Sequence, residues 1–289
     1  MSLIGTMGSG VSALRTFMKG LEVIGDNIAN VNTTAYKASE AKYADSFSNI
    51  LTRSAPQNAG GGNTPALGVG TGVTLAGVHA NFNQGSLAST GKSTDLGVSG
   101  NGFFHVKNVM DGSVYATRAG DFRWDDQGYL VTSMGYRVQG ATGNGLSTVS
   151  DIQLGTPPAN SQRQSITIDK LGNVVEFYSD GTSATTGRVL LQTFTDPSAL
   201  VREGNNLYSG MQAAGPVGAT SGFVLDTAVN APGTNGLGNI QSGTLELSNV
   251  DLTDQFANLI TTQRSFQAGS RLITVSDTVL EDIVNLKRN

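Results

Sequence analysis

Two long apolar stripes, one at each end of the chain, constrain the fold more than anything between them. From Leu3, apolar residues recur at alternating spacings of four and three: Leu3, Met7, Leu14, Phe17, Leu21, Ile24, Ile28 and Val31. The one break is Gly10, and the apolar Val11 stands beside it. This is a helix stripe of near-heptad period. Ser2 suits an N-cap, and Asn30, Asn32 and Thr33 mark the exit. At the other end Leu252, Phe256, Leu259, Phe266, Ile273, Leu280 and Val284 form a second stripe, interrupted by the polar Gln263, Ser270 and Asp277. Ser248, three residues before Asp251, resembles a capping box. Lys287 and Arg288 suit a helix C-terminus. An unbroken helix over 252–287 would be ~50 Å long at 1.5 Å per residue.

The middle has another texture. The chain carries 38 glycines and only 14% charged residues, a mix that reads as β-rich with many turns. Turn signals recur at Asp111-Gly112, Gln127-Gly128, Gly172-Asn173 and Asp180-Gly181. They separate strand-like runs at 102–107, 113–118, 128–132, 135–139, 165–169, 174–178 and 188–194. The expected fold is α+β: a mostly antiparallel β middle flanked by long N- and C-terminal helices that pair as a coiled coil on assembly. The segments 54–65, with Gly60-Gly61-Gly62, and 141–164, with Pro157-Pro158, read as loops or linkers. The expected division is a terminal helical domain from 1–35 and 248–289, a linker or extended arm over 36–66, and a β-rich domain over 67–247 without a large separate outer domain.

The first helix contains Gly5, Gly8, Gly10, Gly20 and Gly25. Each costs up to ~1 kcal/mol relative to Ala in a helix interior, so the helix is weak in isolation, and close packing against neighbours is the natural compensation. Paired, the two helices would expose apolar flanks unless other subunits covered them. Heterologous contacts of that kind build open helical assemblies. The ends are therefore expected to order on assembly, with ordering entropy offset by burial between subunits.

Chemistry-bearing patterns are sparse. Cysteine is absent, which removes disulfides and thiolate chemistry. The two histidines, His79 and His105, have no metal-ligand spacing, and His105 sits in the strand-like Phe103-Phe104-His105-Val106. Gly97-Val98-Ser99-Gly100-Asn101-Gly102 is followed by that strand and not by the helix a dinucleotide loop requires. Gly68-Val69-Gly70-Thr71-Gly72 fails similarly, and both read as turns. Asp121 to Gly128 lacks alternating calcium ligands and reads as a hairpin turn. No catalytic, cofactor or metal residues are assigned. The net charge of −4 and the absence of a basic block give no invitation to nucleic acid, and no apolar run is long enough to span a bilayer. Residues 1–10 carry no cation ahead of an apolar stretch, so no ordinary secretory signal is expected.

The ends are more specific than their periodicity. Ser9-Gly10-Val11-Ser12-Ala13-Leu14, then Val23-Ile24-Gly25-Asp26-Asn27-Ile28-Ala29-Asn30-Val31-Asn32-Thr33-Thr34-Ala35-Tyr36-Lys37, resembles the N-terminal signature of flagellar rod and hook proteins. Ser248-Asn249-Val250-Asp251-Leu252 with Thr262-Gln263-Arg264-Ser265-Phe266-Gln267-Ala268 and Ser270-Arg271 resembles the matching C-terminal signature. In the middle, 97–104, Thr117-Arg118-Ala119-Gly120-Asp121-Phe122 and Gly204-Asn205-Asn206-Leu207-Tyr208 are also similar to that family. Within it, 9–14, 37–47 and Val284-Asn285-Leu286-Lys287-Arg288 look hook-like, whereas the lack of an inserted outer domain suits a distal rod subunit.

The resemblance implies a structural subunit of the flagellar axial tube: the hook, as a joint that transmits torque and conducts exported subunits, or alternatively the distal rod. The implied partners are copies of the chain itself, other axial proteins (rod, hook cap, hook–filament junction) and the flagellar type III export apparatus, with no nucleic acid and no membrane insertion. The implied location is the basal body and hook, outside the cell for a hook and across the periplasm for a rod. The assembly interface is expected on Leu3, Met7, Leu14, Leu21, Ile24, Asn27, Ile28, Asn30, Val31 and Asn32 of the first helix and its exit. On the second helix it is expected on Leu252, Phe256, Leu259, Gln263, Arg264, Phe266, Ile273 and Leu280. A reading of another class is a phage-tail or adhesin-like β protein with helical ends, which predicts receptor or sugar binding. A hydrolase comes third and predicts turnover in a pocket.

Overall fold

The computed structural model describes residues 2–54, 63, 65–143, 145–220 and 224–288, with only the backbone described at 2–4, 219, 220, 224, 287 and 288. The expected Gly60-Gly61-Gly62 loop lies outside the described residues, as do the side chains of Ser2, Leu3, Lys287 and Arg288. The architecture is α+β with antiparallel pairing. The chain divides into two compact units, and the division does not follow chain order. The first comprises Met1–Ala29, Ala38–Asn81 and Val250–Asn289; the second comprises Asn30–Lys37 and Phe82–Asn249.

In the first unit the terminal stripes form two helices, α1 (Ser2–Ala29) and α2 (Leu252–Arg288). The start of α2 is capped by Asp251, not by Ser248: the Asp251 carboxylate accepts from the amides of Thr253 at 2.8 Å and Asp254 at 3.4 Å. An Asp at this position also complements the helix dipole. The stretch read as a linker carries two strands, β1 (Ser39–Asp45) and β2 (Ser48–Thr52), followed by β3 (Leu67–Gly70) and β4 (Val73–Ala80). Gly68, Val69 and Gly70 thus stand in a strand and not in a turn. β1 pairs antiparallel with β4 from Ser39↔Ala80 to Asp45↔Val73, and β2 pairs with β3.

The second unit holds a 12-stranded sheet among the described residues. Its main path runs Arg163–Ile168, Asn173–Tyr178, Ser183–Val189, Arg137–Thr142, Phe103–Lys107, Val114–Thr117, Leu207–Ser209, Val201–Gly204. The tight turns fall at the signalled dipeptides. Gly112, Gly128, Gly172 and Gly181 all have φ between 73° and 80°, the left-handed region that a glycine enters without a Cβ penalty. Asp111 and Asp180 brace two of these turns by accepting from the amides two residues on. Segment 141–164, expected as a loop, contains the strand Thr148–Asp151, paired with Arg137–Thr142.

The core lies on both faces of Phe103–Lys107. Phe104 and Val106 are fully buried with Leu96, Val98, Leu130, Val138, Val189 and Ile240. On the other face Phe103 meets Phe82, Phe194 and Tyr208 edge-on, with ring centroids 5.5–6.0 Å apart, the geometry aromatic quadrupoles favour. His105 shares that second face and is 5% exposed. Burial drives its pKa down to about 4, so the ring is neutral at pH 7.

Candidate assembly surface

α1 and α2 run antiparallel. Ile273 lies beside Gly10, Leu14 beside Gly269, Thr262 beside Gly20, and Gln255 beside Asn27. By that register α2 continues past the start of α1. The covered face of α2 runs through Gln255, Leu259, Thr262, Phe266, Gly269, Ile273, Ser276 and Leu280 at alternating steps of four and three, with Ser265 also partly covered beside Phe266. The sequence reading placed Leu259, Phe266, Ile273 and Leu280 on this face. It took the positions between them to be Gln263, Ser270 and Asp277, one residue too late. The seam uses the small residues Thr262, Gly269 and Ser276, and these let the backbones approach. A Cβ on Gly269 would sit 3.3 Å from Leu14 Cδ2, and one on Gly10 would sit 3.0 Å from Ile273 Cγ1.

The other side of α1 lies on the β1–β4 pair. Thr16 Oγ1 donates to the Val73 carbonyl at 3.2 Å, and the Val73 amide donates to Ser12 Oγ at 3.3 Å. Phe17 and Tyr43 meet edge-on at 6.0 Å. Asn27 is 1% exposed and ties three elements. Its amide nitrogen donates to the Ser39 carbonyl at 2.7 Å and to Gln255 Oε1 at 3.0 Å, while its oxygen accepts from the Ser39 amide at 2.8 Å.

The expected interface residues therefore separate into groups. Ile24 and Asn27 are buried, and Met7, Leu14, Leu21, Ile28, Leu259, Phe266, Ile273 and Leu280 are half-buried within the first unit. Leu252, Phe256, Gln263 and Arg264 face solvent. Asn30, Val31 and Asn32 belong to the second unit, the first two half-buried and the third exposed. Sequence reasoning missed a second stripe on α2: Leu272, Val275, Val279, Ile283 and Leu286 are exposed, Leu286 by 77%, and Phe256 and Ile260 are exposed elsewhere on the helix. The signal of the stripe lies in its spacing of three and four from Leu272. Strands β2 and β3 are exposed along their whole length, and Phe47, Ile50, Leu51, Leu67 and Val69 stand out from that hairpin. Met7, Val11, Val73 and Leu75 line a groove of about 650 Å³ beside α1.

His79 is exposed on β4. Among the described residues no three His, Asp or Glu side chains gather into a metal-binding group, and no helix is long and apolar enough to cross a membrane.

Three family models match the chain. "Flagella basal body rod protein" covers residues 7–37, "Flagellar hook protein FlgE/F/G D1 domain" covers 97–176, and "Flagellar basal body rod FlgEFG protein C-terminal" covers 241–286. The chain is 35% identical to the flagellar basal-body rod protein FlgG of Bacillus subtilis (strain 168), over 99% of this chain and 100% of that protein. It is 31% identical to the protein of the same name from Caulobacter vibrioides, over 96% and 100%. The flagellar hook protein FlgE of Borreliella burgdorferi is 25% identical over 448 aligned positions, covering 96% and 98%. A crystal structure of the Helicobacter pylori hook protein FlgE2 aligns with 65% of this chain and 47% of that one, but its TM-score of 0.22 at 12% identity carries no weight. With relatives of this kind aligned over its whole length, the chain belongs to the flagellar hook and basal-body rod protein family, whose members are structural subunits of the flagellar axis.

Proposed function

We propose that this chain self-assembles into the flagellar hook, a tube that transmits torque and conducts exported subunits. The observation that carries self-assembly is the exposed apolar stripe Val275, Val279, Ile283 and Leu286 on α2. α1 covers another face of the helix, so the exposed stripe is left for another copy. Covering it would stabilise the polymer by roughly 25 cal/mol per Å² of apolar surface. Because this surface and the groove beside α1 are different patches, the contact is heterologous and propagates. In the polymer α1 and α2 pair as a coiled coil lining the tube. The exposed β2–β3 hairpin gains cover from a neighbour.

The hook reading is supported by the hook-like stretches 9–14, 37–47 and 284–288. A second reading, the distal rod, is favoured by the relatives named as rod proteins that align end to end without a long insertion. Under either reading the role is mechanical, and the subunit leaves the cell through the flagellar export apparatus. The hook would place it outside the cell, beside the cap and junction proteins, and the rod would place it across the periplasm. Basal bodies purified from a strain lacking this gene separate the readings. Complete rods without hooks support the hook; rods truncated at the distal end support the rod; intact rods and hooks overturn both.

A further inference from the structure

The segment Asn30–Lys37 follows α1 and precedes β1, yet it belongs to the second unit. Its end is deeply buried there: Ala35 is 0% exposed, Tyr36 4% and Lys37 0%. Ala35 takes φ 58°, a conformation an L-residue adopts only where its surroundings impose it. The Ala35 amide donates to the Glu246 carbonyl at 2.8 Å, and the Asn249 amide donates to the Tyr36 carbonyl at 3.4 Å. Arg202 donates to the Lys37 carbonyl at 2.7 Å and lies over the Tyr36 ring.

At the end of this segment is a cluster of three buried charges. Lys37 Nζ donates to Glu246 Oε1 at 2.7 Å and to the Asn83 carbonyl at 2.8 Å. The same carboxylate oxygen accepts from the Gly85 amide at 2.9 Å, and its other oxygen accepts from Arg118 at 3.3 Å. The Lys37 and Glu246 side chains are 0% exposed and that of Arg118 is 4%. Two cations thus share one carboxylate. Burial pulls the Lys37 pKa down and Glu246 opposes it. Lys37, Arg118 and Glu246 come one each from the three separately matched family regions.

We infer that 30–37 is a strap locked across the second unit by the Lys37–Glu246–Arg118 cluster, so that this unit closes only when segments 209 positions apart in the chain have met. The carboxylate is the keystone. Without its charge, two cations face each other in a dry site, a far greater penalty than the loss of one hydrogen bond. The strap also holds Lys37 and Asn249, the residues after which the chain leaves this unit for β1 and for α2. The inference rests on the fold and holds for hook and rod alike.

Hydrogen exchange on the full-length chain, followed by mass spectrometry, tests it. In Glu246→Gln, peptides covering 30–37, 83–85 and 244–249 should exchange at least tenfold faster, while those in 163–189 keep their wild-type rate. Lys37→Met keeps the apolar stem and leaves Arg118 and Glu246 as a one-to-one pair, so it decides the matter if Glu246→Gln does not fold. It should speed the same three regions about threefold or more. Unchanged exchange in the strap of Lys37→Met overturns the lock. So does acceleration spread evenly over the whole second unit, which would make the cluster a general contributor to stability and not a latch.

Discussion

Single residues show how α1 divides its work. Of its glycines, Gly10 and Gly20 lie under contacts within the first unit, whereas Gly5, Gly8 and Gly25 have nothing within 4 Å of a would-be Cβ. Gly8→Ala and Gly25→Ala should therefore each raise the stability of the free subunit by about 0.5–1 kcal/mol through helix propensity; thermal melts check this. A polymer that tolerates neither substitution would show that the vacant space belongs to a neighbouring copy. Gly10→Val should act oppositely, forcing Ile273 aside at a cost of about 1–3 kcal/mol. Asn27→Ala should cost about 1–3 kcal/mol in the same melts, because the Ser39 amide and carbonyl lose their buried partner. His105 sets a pH dependence for the second unit. Its folded-state value of about 4 lies below the ordinary 6.5, so between these values the unfolded chain binds a proton that the folded chain does not. Stability is then complete above about pH 6.5 and falls as pH drops towards 4, by about 3 kcal/mol in all. Urea midpoints at pH 7 and pH 4.5 should differ in the wild type and draw together in His105→Gln.

At the scale of elements, α2 is a helix with two apolar faces, one of them packed on α1. Replacing Val275, Val279 and Ile283 together by Ser should leave the far-ultraviolet circular dichroism of the subunit unchanged and abolish polymerisation in sedimentation. A loss of helicity instead would place these residues in the fold and not in the assembly. That α1 and α2 are helices was legible from the spacing of their apolar residues, and so were the hairpin turns at Gly112, Gly128, Gly172 and Gly181, because both signals are local. The seam was not. Thr262, Gly269 and Ser276 face α1 because small residues permit close approach, and a small residue carries no hydrophobic signal of its own. Strands β1 and β2 escaped for a related reason. The covered residues of β1 are the small Ser39, Ala41 and Ala44, and β2 is exposed throughout, so neither carries a strong hydrophobic alternation.

At the scale of the molecule, the units interleave along the chain. A fragment of residues 30–249 should retain the strap and unfold at a higher temperature than one of residues 38–249, as differential scanning calorimetry would show. Equal melting temperatures would mean that the strap adds nothing to the second unit. Residue order alone established two terminal helices, an antiparallel β middle with its turns, the lack of cysteine chemistry, and the family through signature runs such as 23–37. Periodicity, turn chemistry and motif all depend on neighbours a few positions apart. Only the tertiary structure decided that Asn30–Lys37 leaves its helix to close the second unit, that Ala38–Asn81 joins the helices, and that Lys37, Arg118 and Glu246 meet. Those outcomes depend on contacts between segments tens to hundreds of residues apart. Burial turns a lysine, an arginine and a glutamate that read as ordinary surface charges into one interdependent cluster.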